Sequence, residues 1–349
     1  MSGNGKPALV TGGCGFVGRH VTSYLLNRGD DVWLVDDLSI GMHPDTWLPA
    51  EYVAARRDDG ALIRYEGPQT VTFYQGDCRP VFDEAVPFEV PAFGDVVHLA
   101  AVVGGRANID GNPLAVAIDL AIDAMCFSWA IKARPERLLY ASSSAAYPID
   151  LQTDQAAVAL KESDINIGGR LGQPDMTYGW AKLTGEYLAL LAAERYGLHV
   201  ACIRPFSGYG EDQDLSYPVP AIAARAAAHE DPIVVWGSGL QGRDFVHIDD
   251  CVEAMFRILD RVSDGRAINI GSGKLTNFRE VARLFADIEG YSPTIQPLED
   301  KPVGVHSRYA NIDHMVETLD WQPQISIEEG FGRVLEAARA RIEAAAAVS

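Results

Sequence analysis

At 349 residues, with 48% hydrophobic and 22% charged side chains, the chain has the make-up of a soluble globular protein with a large core, as one two-lobed unit or two domains. Its 48 acidic residues outnumber the 29 basic ones for a formal charge of −19, which argues against nucleic acid or an anionic membrane as partner and leaves a local basic pocket for a phosphorylated ligand possible. The five scattered cysteines fit no metal spacing and no disulfide framework; with no signal peptide or uninterrupted bilayer-length apolar run read, free thiols in the cytoplasm are expected.

A short apolar run at 8–10 leads into Thr11-Gly12-Gly13-Cys14-Gly15-Phe16-Val17-Gly18, and the amphipathic stretch that follows predicts a helix over 16–28. Without Cβ atoms, Gly12 and Gly15 let the backbone approach a pyrophosphate, and Gly18 lets helix and strand pack closely. The unpaired N–H groups of the helix start then face the phosphates. An ordinary glycine turn has the same spacing, so the second strand decides. That strand, at 31–35, ends in Asp36-Asp37, and Asp36 lies about 20 residues beyond the glycines, where a carboxylate binds the adenosine ribose hydroxyls. A carboxylate there repels a 2′-phosphate, so NAD is expected rather than NADP.

Residues 38–70 are rich in Pro, Gly and charge, with a helix expected around 47–57. A strand at 71–75 ends at Asp77, which reads equally as an adenine contact or a solvated turn aspartate. The strand at 95–101 closes on small residues that leave room for a ligand, and His98 reads as a packing or hydrogen-bonding residue. A largely apolar helix is expected over 113–134, a strand over 137–141 running into Ser142-Ser143-Ser144, a long helix over 175–196, and a strand over 198–205. Regular strand–helix alternation implies an α/β, doubly wound parallel sheet of Rossmann type, with ligands at the carboxyl ends of the strands. Residues 1–206 thus read as the NAD-binding domain. Residues 207–349 read as a smaller C-terminal substrate-binding lobe, with 241–262 packing back on the first domain.

Tyr178 and Lys182 are four apart on one expected helix, so both project from one face. An ammonium beside a phenol favours phenolate, which makes Tyr178 a usable base near neutral pH. Tyr and Lys occur at this spacing on many helices; the glycine turn, Asp36 and the serine cluster give the pair its meaning. Ser143 would hydrogen-bond the substrate hydroxyl that Tyr178 deprotonates while hydride leaves to a nicotinamide.

These motifs, with Gly76-Asp77, His98-Leu99-Ala100-Ala101, Tyr178-Gly179-Trp180-Ala181-Lys182, Arg204-Pro205, Gly242-Arg243-Asp244-Phe245-Val246-His247 and Asn269-Ile270-Gly271-Ser272, resemble the extended short-chain dehydrogenase/reductase superfamily of nucleotide-sugar epimerases and dehydratases. The resemblance implies catalysis by Ser143, Tyr178 and Lys182. It implies NAD held by Gly12, Gly15, Phe16, Val17, Asp36, Asp77, Cys78, Leu99, Ala100, Ala101, Tyr178, Lys182 and Pro205. A nucleotide-diphosphate sugar would meet Gly104, Gly105, Ser144 and Ser207, with Arg243 and Arg308 clamping the diphosphate. It also implies a homodimer through the helices at 113–134 and 175–196.

Val102-Val103-Gly104-Gly105 and Trp236-Gly237-Ser238-Gly239 are most similar to GDP-mannose 3,5-epimerase, but that family's cysteine is Ala145 here, and its lysine falls near Tyr217-Pro218. The acids that dehydratases and decarboxylases carry after the catalytic Ser/Thr are also missing, at Ser144 and Ala145. Ser207 and Asp119 stand where the family has asparagine. What remains is the set for oxidation and reduction at sugar C4, as in 4-epimerases. The rivals are a lyase, decarboxylase or 3,5-epimerase with acid/base groups from elsewhere, such as Tyr217 or Glu162, and a catalytically silent NAD-sensing protein.

Overall fold

Strands β1 (Ala8–Thr11), β2 (Val32–Asp36), β3 (Arg56–Asp59), β4 (Leu62–Glu66), β5 (Thr70–Gln75), β6 (Asp95–His98), β7 (Arg137–Ala141) and β8 (Val200–Pro205) form one sheet with the strand Asp264–Ile270. The computed structural model describes residues 5–102, 111–155, 157–169 and 171–348. From one edge the order is Asp264–Ile270, β8, β7, β6, β1, β2, β5, β4, β3. The first seven in that order run parallel, and β4 and β3 add an antiparallel edge. β1 and β6 are buried along their length and β7 through its middle three residues, because helices cover both faces. The strand order reverses between β1 and β6, the crevice where doubly wound sheets bind ligands.

One face is packed by the helices Phe16–Arg28 and Ile248–Arg261, the other by Asp119–Ala133 and Met176–Tyr196. Gly29 and Gly197 stop two of these helices in the left-handed conformation, at φ 95 and φ 64, which glycine adopts without a steric penalty. A separate core joins the helices Pro218–Ala227, Phe278–Glu289 and Ile327–Val348 to the strand pair Ile233–Trp236 and Ile295–Leu298. The main sheet takes back more late chain than 241–262, since Asp264–Ile270 pairs with β8.

Two expectations need correction. The helix around 47–57 is only Ala50–Ala54, and the chain then turns through Asp59-Gly60-Ala61 into the β3–β4 hairpin, with Gly60 at φ 63. That hairpin covers the β5 edge and buries Leu62 and Tyr65, which a continued helix would leave open. The helix over 113–134 breaks into Pro113–Val116 and Asp119–Ala133. By length and composition Pro113–Ala133 is apolar enough to cross a membrane, although no such run was read from the sequence. Here it lies against the sheet and carries two buried aspartates, Asp119 and Asp123.

Candidate active site

The glycine turn hangs from the end of β1. Gly12 has φ 68, and a Cβ there would come within 2.9 Å of the Ala100 nitrogen, so only glycine brings the turn this close to the end of β6. At Gly18 a Cβ would strike the Gly12 carbonyl oxygen at 2.2 Å, so the helix starts directly on the turn. At Gly15 a Cβ would meet only the Gly12 oxygen, at 3.4 Å, and no side chain caps the helix there. The helix N-terminus, carrying Phe16 and Val17, thus opens on space with its N–H groups uncapped, as a pyrophosphate requires. Asp36 stands across this space: it accepts the Cys14 N–H at 2.9 Å and the Leu38 N–H at 2.8 Å. Burial raises its carboxyl pKa, and those two N–H bonds resist the rise. These residues fit a dinucleotide whose ribose hydroxyls meet Asp36.

Leu99 and Ala100 continue β6 alongside Thr11, their N–H groups donating to its carbonyl at 3.1 Å and its hydroxyl at 3.3 Å; Ala101 follows, half-buried. Pro205 ends β8. Asp77 lies at the end of β5, but both its oxygens are engaged by Arg79, whose backbone N–H and Nε donate at 2.8 Å. This pairing favours the turn reading over the adenine contact. Cys78 beside it is buried. Burial pushes the Cys14 thiol well above the ordinary range, so it is inert inside the turn.

Ser143 follows β7, where its hydroxyl accepts the Ala145 N–H at 3.1 Å and lies near enough to the Tyr178 hydroxyl to favour its ionised form. The helix Met176–Tyr196 docks on this serine turn. The Asp175 N–H donates to the Ala145 carbonyl at 2.9 Å, and a Cβ on Gly179 would lie 2.3 Å from that oxygen. Lys182, one turn past Tyr178, is 3% exposed, with Nζ 5.8 Å from the Tyr178 ring centre and 5.3 Å from that of Tyr140. The expected depression of the Tyr178 pKa does not occur. Burial raises it most; Lys182 and Ser143 pull it down, and the charges of Asp119 and Asp123 add to the rise, so the net direction is upward.

Those two aspartates were not read as site residues. Asp123 accepts from His98 Nε2 at 3.2 Å and from the Tyr140 hydroxyl at 2.5 Å, and His98 Nδ1 lies 2.7 Å from the Thr11 hydroxyl. A signal was present in the sequence: two acids one turn apart on an otherwise apolar helix are out of place unless a buried cation answers them.

Arg243 and Arg308 are register partners on adjacent parallel strands, so the two expected clamps lie side by side. Arg308 donates to Gln152 Oε1 at 2.6 Å and Asp175 Oδ2 at 2.8 Å, and Arg243 donates to the carbonyls of Gly242 and Val303 at 2.7 and 3.1 Å. Ser144 is buried in the serine turn, and the Ser207 N–H donates to the Asp244 carbonyl at 2.9 Å. Gly104 and Gly105 lie outside the described residues. Of the rival acid/base groups, Glu162 is occupied by the Asn269 N–H at 3.0 Å, whereas Tyr217 lies close enough to Tyr178 for that phenol, with burial, to disfavour ionisation of Tyr217.

A doubly wound sheet with an uncapped glycine turn, a carboxylate at the end of β2 and a Ser–Tyr–Lys cluster fits the class of dinucleotide-dependent enzymes. The chain belongs to the NAD dependent epimerase/dehydratase family, whose pattern matches residues 8–271, and its cofactor is NAD. It is 29% identical over 328 residues to a dTDP-4-dehydro-6-deoxy-D-allose reductase of Streptomyces bikiniensis, covering 92% of each chain. It is 28% identical to a putative UDP-glucose 4-epimerase of Methanocaldococcus jannaschii, over 94% of this chain and 96% of that one. The fold matches that of the UDP-glucose 4-epimerase of Thermotoga maritima with a TM-score of 0.78, at 24% identity over 96% and 99% of the two chains.

Proposed function

We propose that the protein is a nucleotide-sugar epimerase working through a keto intermediate at sugar C4. The observation that carries this reading is Tyr178 with Lys182 one turn on and Ser143 beside it, and neither acid nor thiol at the two positions after Ser143. Tyr178 takes the C4 hydroxyl proton and later returns it. Ser143 polarises O4 and fixes it against Tyr178. Lys182 holds the nicotinamide ribose and stabilises the phenolate that proton removal requires. Bound NAD supplies the acceptor and donor of the C4 hydride.

The Arg243–Arg308 pair suits a diphosphate, two guanidinium forks side by side, and Arg308 exchanges its Asp175 partner for phosphate oxygens. Leu114, Leu120, Trp180 and Tyr187 leave an exposed apolar face on the paired helices that a second copy would cover, giving a homodimer. The test incubates the purified protein with a panel of nucleotide sugars. An isobaric product inverted at C4 by NMR supports the reading, and loss of water or carbon dioxide overturns it.

The 29% identity to a dTDP-4-dehydro-6-deoxy-D-allose reductase, over 92% of both chains, favours a second reading. A phenol held protonated suits proton donation to a sugar ketone, as in a 4-keto reductase. Stoichiometric consumption of added NADH with a 4-ketosugar, and no epimerisation of the alcohol, would select it.

A further inference from the structure

Asp119 and Asp123 sit four apart on the helix Asp119–Ala133, exposed 0% and 1%. Asp123 has donors on both oxygens, from His98 and Tyr140. Asp119 does not. Its Oδ1 accepts the Val102 N–H at 2.6 Å, while Oδ2 is sealed from solvent with no hydrogen-bond partner among the described residues. A buried carboxylate oxygen without a donor is unfavourable, and a native fold that keeps one has a use for it. The cation both carboxylates face is Lys182, which also serves Tyr178. One ammonium thus answers two buried carboxylates and the half-buried Tyr178 phenol, so ionising all three acids together is disfavoured.

We propose that Asp119 is a positioning residue, whose carboxylate competes with Tyr178 for the charge of Lys182 and so sets the pH above which the phenol acts as a base. This rests on the reading of Tyr178 as the proton carrier at C4. The groups around Asp119 are Asp123 on its own helix, Lys182 and Tyr178 on the facing helix, and the Val102 N–H beyond β6; behind Asp123 stand His98 on β6 and Tyr140 on β7. Among the described residues Lys182 is the cation of this set. The titration directions agree: burial moves the Asp119 carboxyl up to about 6 against the pull of Lys182, and Asp119 is among the groups that raise Tyr178.

The experiment compares the NAD-loaded wild type with Asp119→Asn, which keeps the shape and the Val102 contact and removes the charge. Phenolate formation is followed by ultraviolet difference absorbance against Tyr178→Phe, and the pH profile of hydride transfer is recorded in parallel. At Coulomb strengths usual for partly screened protein sites, the Tyr178 midpoint should fall by about one pH unit or more in Asp119→Asn, and the rate profile should move with it. Asp119→Glu, which retains the charge, should keep the midpoint near that of the wild type. A residue that served packing alone would change stability and leave the midpoint in place, so an unmoved midpoint in Asp119→Asn overturns the proposal. If Tyr178→Phe keeps full turnover, the reading of Tyr178 fails, and this one with it. Without any change at 119, the wild type should show an aspartate carboxyl carbon resonance titrating near about 6 that moves upward in Lys182→Met; its absence also overturns the proposal.

Discussion

Two buried cations lie a few residues from each other's anchors, and they are treated in opposite ways. Arg204, on β8, meets Glu186, one turn beyond Lys182 on the same helix, through two parallel bonds, Nε to Oε1 and Nη2 to Oε2, each 2.7 Å. Its remaining Nη1 donates to the Tyr147 hydroxyl at 3.0 Å, and Tyr147 passes the network to Asn269 at 2.7 Å. Ser142 donates to Glu186 as well. The Arg204 cluster is closed: one guanidinium, one carboxylate, each with good geometry. The Lys182 cluster is open, with more acids than cations and one carboxylate oxygen unanswered. A closed buried pair fixes structure, whereas an unbalanced one leaves protons free to shift, and perturbed groups of that kind mark functional sites.

The sharpest way to break this contrast is to remove one member from each cluster. Tyr178→Phe should lower turnover by about 10²–10⁴-fold, the usual contribution of a positioned acid or base, with little change in thermal stability. Steady-state rates and thermal unfolding measured side by side check it, and a loss below about tenfold would make Tyr178 a bystander. Glu186→Gln should do the reverse in kind. It strands a buried guanidinium and should cost about 3–5 kcal/mol of folding free energy, read by urea unfolding. If the Glu186 variant is as stable as the wild type, the closed cluster is not holding the fold.

The parts of the site carried by local spacing were legible in the sequence. The glycine turn, Asp36, the strand ends and the Tyr178–Lys182 pair all follow from periods and intervals within a few dozen residues. The β3–β4 hairpin was missed because Arg56–Asp59 is exposed and shows no alternation, although Asp59-Gly60 is a hairpin turn signal in its own right. The direction of the Tyr178 shift was out of reach for another reason. It depends on Asp119 and Asp123, more than fifty residues away, and on burial that only the packed helices create. Likewise, two arginines from separate motifs became neighbours only through the parallel register of their strands.

A smaller effect marks the open cluster by pH. Burial lifts the Asp119 carboxyl up to about 6, above the ordinary aspartate value near 4. The folded chain therefore holds this proton more tightly than the unfolded chain does. By linkage, stability falls as pH rises from about 4 to about 6, and the full penalty remains above that range. Asp119→Asn should then be the more stable protein near pH 8, by up to about 3 kcal/mol, with the gain vanishing near pH 4. Asp95, by contrast, is held below the usual carboxylate range: burial would raise it, but Arg137 and Arg28 more than offset that. An equal gain for Asp119→Asn at both pH values would show that the carboxylate is not the penalised group.

The smallest expected effect is none at all, and it tests where the open cluster's protons can go. In the proposed C4 chemistry Tyr178 exchanges a proton with a sugar oxygen, and no carbon-bound hydrogen passes through it. Protons at C3 or C5 would need a separate carrier, and the nearby positions offer Ser144, Ala145 and a Glu162 already bound to Asn269. Without a positioned base, a carbon acid beside a ketone lacks the roughly 10²–10⁴-fold assistance that enzymatic exchange requires. Turnover in D2O should therefore leave C3 and C5 without deuterium, and C4 as well, since its hydrogen returns as hydride. Tyr217 is the one candidate that would upset this, being a phenol within electrostatic reach of Tyr178. Deuterium at C3 or C5 that disappears in Tyr217→Phe would assign that phenol a proton-transfer role and replace C4-only chemistry with 3,5-epimerisation.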